Sequence, residues 1–156
     1  MAINVVLYQP EIPANTANIA LTCAVTDTAL HLIRPIGFST DEKMIKRAGL
    51  DYWESVNITY YDSLEEFFSK NHGEFYYIET YGEKAHSSFD FSDVTKEHYF
   101  MFGKETTGLP EDLPERYHGH FLRIPMNDNV RSLNLSNTAA ILVYEALRQQ
   151  GYPHLT

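Results

Sequence analysis

The sequence predicts an α/β fold built on a mostly parallel sheet flanked by helices. Three observations predict it. Short apolar runs of strand length recur along the whole chain. Segments with helical start and stop signals separate most of the early ones. The last helix carries a full apolar stripe, as a helix lying on a sheet must.

The elements follow in order. INVVLY (3–8) reads as a buried strand, and a helix is expected after PEIPAN, from about Thr16 to Val25. One of Asn15, Thr16 and Asn18 is expected to cap it. LHLI (30–33) is the next strand, ended by Pro35. STDEKMIKRAG then reads as a short helix with a capping box from Ser39 to Glu42 and a stop at Gly49. ITYY (58–61) is strand-like. SLEEFFSKNHG repeats the helix grammar, Ser63 pairing with Glu66 and Gly73 marking the stop. EFYYIE (74–79), HYFMFG (98–103) and HFLRIP (120–125) are three further strands. In the final helix Ala139, Leu142, Val143, Ala146 and Leu147 recur at i, i+3, i+4, i+7 and i+8. Ser136 or Asn137 is expected to cap it, Gly151 ends it, and Pro153 prevents its return.

Composition narrows the function. A length of 156 residues fits one domain, 1–156, with a sizeable core. A single cysteine, Cys23, excludes an internal disulfide and fits a reducing cytosol. In its apolar helix Cys23 reads as core, not nucleophile. No apolar run approaches the ~20 residues of a membrane span. The N-terminus lacks a basic segment and a long apolar one, so no signal peptide is expected. These features point to the cytoplasm. A net charge of −9 argues against non-specific nucleic-acid binding. It leaves room for a local basic patch, and Lys43, Lys46 and Arg47 fall on one helical face. The seven histidines lack zinc-type spacing, so no metal site is expected.

In parallel α/β sheets, ligands bind in loops at the carboxyl ends of strands. Three polar or Gly-rich loops qualify: QPEIPANTAN (9–18), GKETTGLP (103–110) and PMNDNVRSLNLSN (125–137). The second is neither a P-loop nor a dinucleotide fingerprint; by itself it reads equally as a turn with a helix start at Pro110. The third crowds Ser132, Asn134, Ser136 and Asn137 around two leucines, more polar side chains than one cap needs. Period-two spacing would put Ser132 and Asn134 on one side, Leu133 and Leu135 on the other.

Together, in this order, NTANIALTC, FGKETTGLPE and IPMNDNVRSLNLSNTAAILVYEAL resemble the three signature motifs of the SPOUT class of RNA methyltransferases. VVLYQPEIPANT, LHLIRPIGFSTDEKMIKRAGLDYWE and VYEALRQQGY extend the likeness to the small tRNA (cytidine(34)-2′-O)-methyltransferase family. The resemblance implies a SPOUT fold with a C-terminal trefoil knot, a homodimer and S-adenosyl-L-methionine as methyl donor. The implied substrate is the ribose 2′-OH of the wobble nucleotide, in the anticodon loop of leucine tRNAs. Carried onto this chain, it puts Ile78, Gly103, Ile124, Ser132 and Leu133 around the cofactor. Asn15, Glu105 and Asn134 would order the catalytic side, leaving Asn137 as the helix cap. The first motif departs from the pattern: Ala17 replaces a glycine and Leu21 an arginine. Leucine neither donates a hydrogen bond nor carries charge. A catalytically weakened cofactor- or RNA-binding relative is therefore the alternative, and a small-molecule-binding α/β module a third reading.

Overall fold

The computed structural model describes residues 2–38 and 53–156. The helix expected from Ser39 to Gly49, with the Lys43 cluster, lies outside the described residues. The chain runs β1 (Ile3–Tyr8), α1 (Pro13–Thr26), β2 (Ala29–Ile33), β3 (Ile58–Tyr61) and α2 (Leu64–Lys70). It continues through β4 (Glu74–Ile78), β5 (Lys84–Ala85), β6 (His98–Phe102), α3 (Leu113–Arg116), β7 (His120–Arg123) and α4 (Leu135–Gln150). Single 3₁₀ turns at Trp53–Ser55 and His86–Ser88 complete it.

The seven strands form one sheet in the order β3-β2-β1-β6-β4-β7-β5. Every pairing is parallel, with Val5 opposite Leu30 on one side and Phe100 on the other. Parallel sheets need cover on both faces. The strand sequences meet that demand: β2 and β6 are buried throughout, and β1 is buried except at Tyr8. Alternate side chains divide between two cores. Val5 and Leu7 pack with α1 and α4; Val6 packs with Phe67 of α2 and Leu113 of α3. The stripe of α4 is buried at all five predicted positions. Cys23 sits in the same core, where burial pushes its thiol up to about 12.

β1 is the hinge of the topology. From it the chain steps outward to β2 and β3, then returns to build β4, β6, β7 and β5 on the other side. Loops leaving β1 and β6 therefore diverge and open a crevice at their carboxyl ends, the usual place for a ligand in such sheets.

Several local expectations are corrected. α1 begins at Pro13, three residues before Thr16, because a proline at the first helical position lacks only an N–H that would be unpaired anyway. Neither Asn15, Thr16 nor Asn18 caps it; the N-cap position is Ile12, without a side-chain cap of its own. α4 is capped by Asn134, not by Ser136 or Asn137: the Asn134 Oδ1 accepts from the Ser136 and Asn137 N–H groups at 2.9 and 3.4 Å. The Ser63 cap on Glu66 N–H occurs as read, at 3.1 Å, whereas α2 stops at Asn71, before Gly73. β4, β6 and β7 end sooner than predicted, so Glu79, Gly103, Ile124 and Pro125 leave the sheet as loop residues. A short helix does follow Pro110, but it begins at Leu113; β5, at two residues, is too short for a periodic pattern to register.

Candidate active site

Those shortened strand ends frame a cavity of about 370 Å³ at the carboxyl edge of the sheet. The volume lies within the range of small-molecule sites. Four loops contribute: 9–12 with the start of α1, 79–82 after β4, 103–108 after β6, and 124–134 after β7. All eight residues singled out in the sequence line it: Asn15, Ile78, Gly103, Glu105, Ile124, Ser132, Leu133 and Asn134. The expected separation of polar and apolar sides over 132–135 does not occur. Leu133 and Leu135 line the same cavity as Ser132 and Asn134, because this segment pairs with no strand and need not alternate.

The loops hold one another. Glu105 reaches across to the start of α1, where its carboxylate accepts from Glu11 N–H at 2.9 Å and Ile12 N–H at 3.3 Å. A carboxylate there satisfies the N–H of the N-cap residue Ile12 and of Glu11 just before it, and meets the positive end of the helix dipole. It supplies the cap that α1 lacks locally. Glu11 returns the contact, accepting from the Thr106 N–H and hydroxyl at 3.1 and 2.8 Å. These bonds, led by the hydroxyl, hold its carboxyl below the usual value. Asn134 caps α4 and also donates from Nδ2 to the buried Asn15 Oδ1 at 3.1 Å, joining the first and third loops. Arg131 bridges further, donating to the Thr80 carbonyl at 3.2 Å and the Met126 carbonyl at 3.4 Å.

Gly103 and Gly108 pinch the middle loop shut. A Cβ on Gly103 would collide with the Gly108 backbone, and Gly108 adopts φ +74°. This explains two glycines flanking K-E-T-T better than a simple turn does.

Glu79 and Thr80 also line the cavity, and neither stood out in the sequence. Glu79 looked like the last residue of a strand; its only signal was an acidic side chain at the end of an apolar run. Leu21 lies elsewhere. It is 42% exposed on the outer face of α1, with Val25, and does not line the cavity. Among the described residues no group of His, Cys, Asp or Glu could hold a metal, and no helix is long and apolar enough to cross a membrane.

Fold and cavity define the class: a parallel α/β protein whose ligand site is built from crossing loops at its topological switch point. The chain belongs to the SpoU rRNA Methylase family, whose model matches residues 2–144. It is 66% identical to a Geobacillus stearothermophilus protein over the full length of both, which is named provisionally as a tRNA (cytidine(34)-2′-O)-methyltransferase. It is 44% identical to the tRNA (cytidine(34)-2′-O)-methyltransferase of Escherichia coli (strain K12), over 97% of this chain and 96% of that protein. A solved structure described as concerning 2-OH methylation of C/U34 on tRNA superposes with a TM-score of 0.85 at 40% identity, covering 96% of this chain and 91% of that one. The reading of a binding-only relative, prompted by Leu21, finds no support in these comparisons.

Proposed function

We propose that this protein transfers a methyl group from S-adenosyl-L-methionine to the ribose 2′-OH of nucleotide 34, cytidine or modified uridine, in leucine tRNA. The observation that carries the reading is the meeting of the three motif loops around one cavity in a chain of this family. The cavity fits the donor: it has the volume for a nucleoside with a short side chain, apolar walls at Ile78, Ile124 and Leu133, and polar groups at Ser132, Asn134 and Arg131.

Bound there, S-adenosyl-L-methionine supplies an electrophilic methyl on a sulfonium. The chain's own residues arrange the rest. Ile78, Gly103, Ile124, Ser132 and Leu133 would hold the cofactor. Asn15, Asn134 and Glu105 act mainly by holding the loops in register, since their side chains are spent on one another and on helix starts. Such positioning supplies much of the acceleration in a transfer that needs in-line geometry. The ribose 2′-OH would accept that methyl group and give up its proton to a base or water.

The loop after β7 is tied to the loops after β1 and β4, through Asn134 to Asn15 and Arg131 to the Thr80 carbonyl, which accords with the trefoil knot that the family resemblance implies. Leu21, Val25, Ile141 and Tyr144 leave an exposed apolar face on α1 and α4, and these helices supply the homodimer interface. Light scattering at micromolar concentration should give twice the chain mass; a monomer would remove the dimer from the reading. The absence of any membrane-spanning helix among the described residues accords with a cytoplasmic enzyme.

The test is methyl transfer from labelled S-adenosyl-L-methionine to unmodified leucine tRNA, followed by nucleoside mass spectrometry, with Leu21→Arg alongside. A 2′-O-methylated nucleoside 34 from the native protein is expected. Product from Leu21→Arg alone would mean that the native scaffold lacks one catalytic group. Product from neither would overturn the proposal.

A further inference from the structure

Glu79 has no part in the assignments above, yet it stands where a ligand would meet it. Its backbone is fixed at both ends: its N–H donates to the Leu122 carbonyl at 3.0 Å, and its carbonyl accepts from Gly82 N–H at 3.1 Å. One carboxylate oxygen, Oε1, accepts from Leu109 N–H at 2.7 Å. The carboxylate lies flat against Gly108, where a Cβ would come within 2.5 Å of Oε1 and 3.2 Å of Oε2. The middle loop is thus shaped to admit this side chain.

A carboxylate can accept about four hydrogen bonds. Glu79 uses one, and among the described residues no cation pairs with it. Arg131, the cavity's arginine, instead donates to carbonyls and lies 3.9 Å from the Asp128 carboxylate. Half-burial raises the Glu79 carboxyl above its usual value, the Leu109 N–H opposes this, and Glu111 adds to it. Lys104 and Arg131 line the same cavity, but neither pairs with this carboxylate among the described residues, so Glu79 is a partly desolvated anion with no cation against it, an arrangement that a cationic ligand relieves.

We propose that Glu79 is the residue by which this pocket distinguishes the cationic methyl donor from its neutral product. This rests on the cavity being the S-adenosyl-L-methionine site. At neutral pH the donor carries a sulfonium, an ammonium and a carboxylate, a net charge of +1; losing the methyl leaves a thioether and no net charge. A fixed anion lining the site strengthens the hold on the donor and drops that extra hold once transfer is complete. Glu79 is then a specificity-determining residue that favours donor entry and product release.

The test is calorimetric titration of native protein and Glu79→Gln with S-adenosyl-L-methionine and with S-adenosylhomocysteine. Glutamine keeps an oxygen for the Leu109 N–H, and thermal unfolding checks that the variant is folded. One charge acting over several ångströms at an intermediate dielectric predicts about a ten- to thirtyfold loss of donor affinity. Product affinity should change by less than about threefold. Native donor affinity should also weaken on acidification through the Glu79 titration, while the variant stays flat over that range. Equal losses for both ligands, or no loss for either, would overturn the proposal. If neither ligand binds the native protein, the reading of the cavity fails instead.

Discussion

Acidification should destabilise this protein through His31, which burial keeps neutral. His31 lies in β2 at 7% exposure, packed among the rings of Tyr61, Phe67 and Tyr99. Its hydrogen bonds fix its tautomer. Asn4 Nδ2 donates to the His98 carbonyl at 3.3 Å, so Asn4 Oδ1 is free to accept from His31 Nε2 at 2.9 Å. His31 Nδ1 must then accept from the Tyr61 hydroxyl, also at 2.9 Å. Tyr61 in turn accepts from Asn71 Nδ2 at 3.1 Å, and the Tyr99 hydroxyl donates to Asn71 Oδ1 at 3.3 Å. The chain of bonds is complete only with a neutral ring. Burial accordingly lowers the His31 pKa from 6.5 to about 4. Between those values the unfolded chain takes up a proton that the folded chain refuses. Stability is therefore fully present above about pH 6.5 and is lost as pH falls toward about 4. A gap of 2.5, from 6.5 minus 4, is worth about 3 kcal/mol in total, of which about 2 kcal/mol is lost between pH 7 and pH 5. Urea unfolding of native protein and His31→Gln across this range isolates the effect, because the carboxylates titrate in both. The native curve should fall about 2 kcal/mol further than the variant's. Parallel curves, or a His31 ring that titrates near 6.5 by NMR in the folded protein, would refute the reasoning.

Three further outcomes follow from the loops. Glu105→Gln removes the charge from the α1 start and should cost about 1 kcal/mol in denaturant unfolding, with a larger fall in methyl transfer than in stability. Asn134→Ala removes both the α4 cap and the tie to Asn15 and should cost about 1–2 kcal/mol, whereas Asn137→Ala should stay within about 0.5 kcal/mol by the same assay. Gly108→Ala forces a side chain into a φ of +74° and against the Glu79 carboxylate; cofactor titration should show weakened binding, and unaltered affinity would mean the loop can move aside.

What the sequence discloses and what it withholds divide along one physical line. ITYY is found as a strand at its predicted bounds, Ser63 caps as read, and the stripe of α4 is buried throughout, because each depends on neighbours within a few residues. The cap of α1 could not be read, because it comes from Glu105, 94 residues away from the Glu11 N–H it satisfies. The choice of Asn134 over Asn137 at α4 is of the same kind. Either amide suits a cap locally, and the contact with Asn15, 119 residues distant, favours the one that can serve both loops. Glu79 is the sharper case. Within its own segment it is the polar end of an apolar run, and strand grammar absorbs it. Its meaning depends on Gly108, which leaves room for it, and on Leu109, which holds one oxygen while the other has no partner among the described residues. Polar residues in three loops announced that a site existed; the parallel sheet, by turning back across β1, decided that they share one site and which fourth loop completes it.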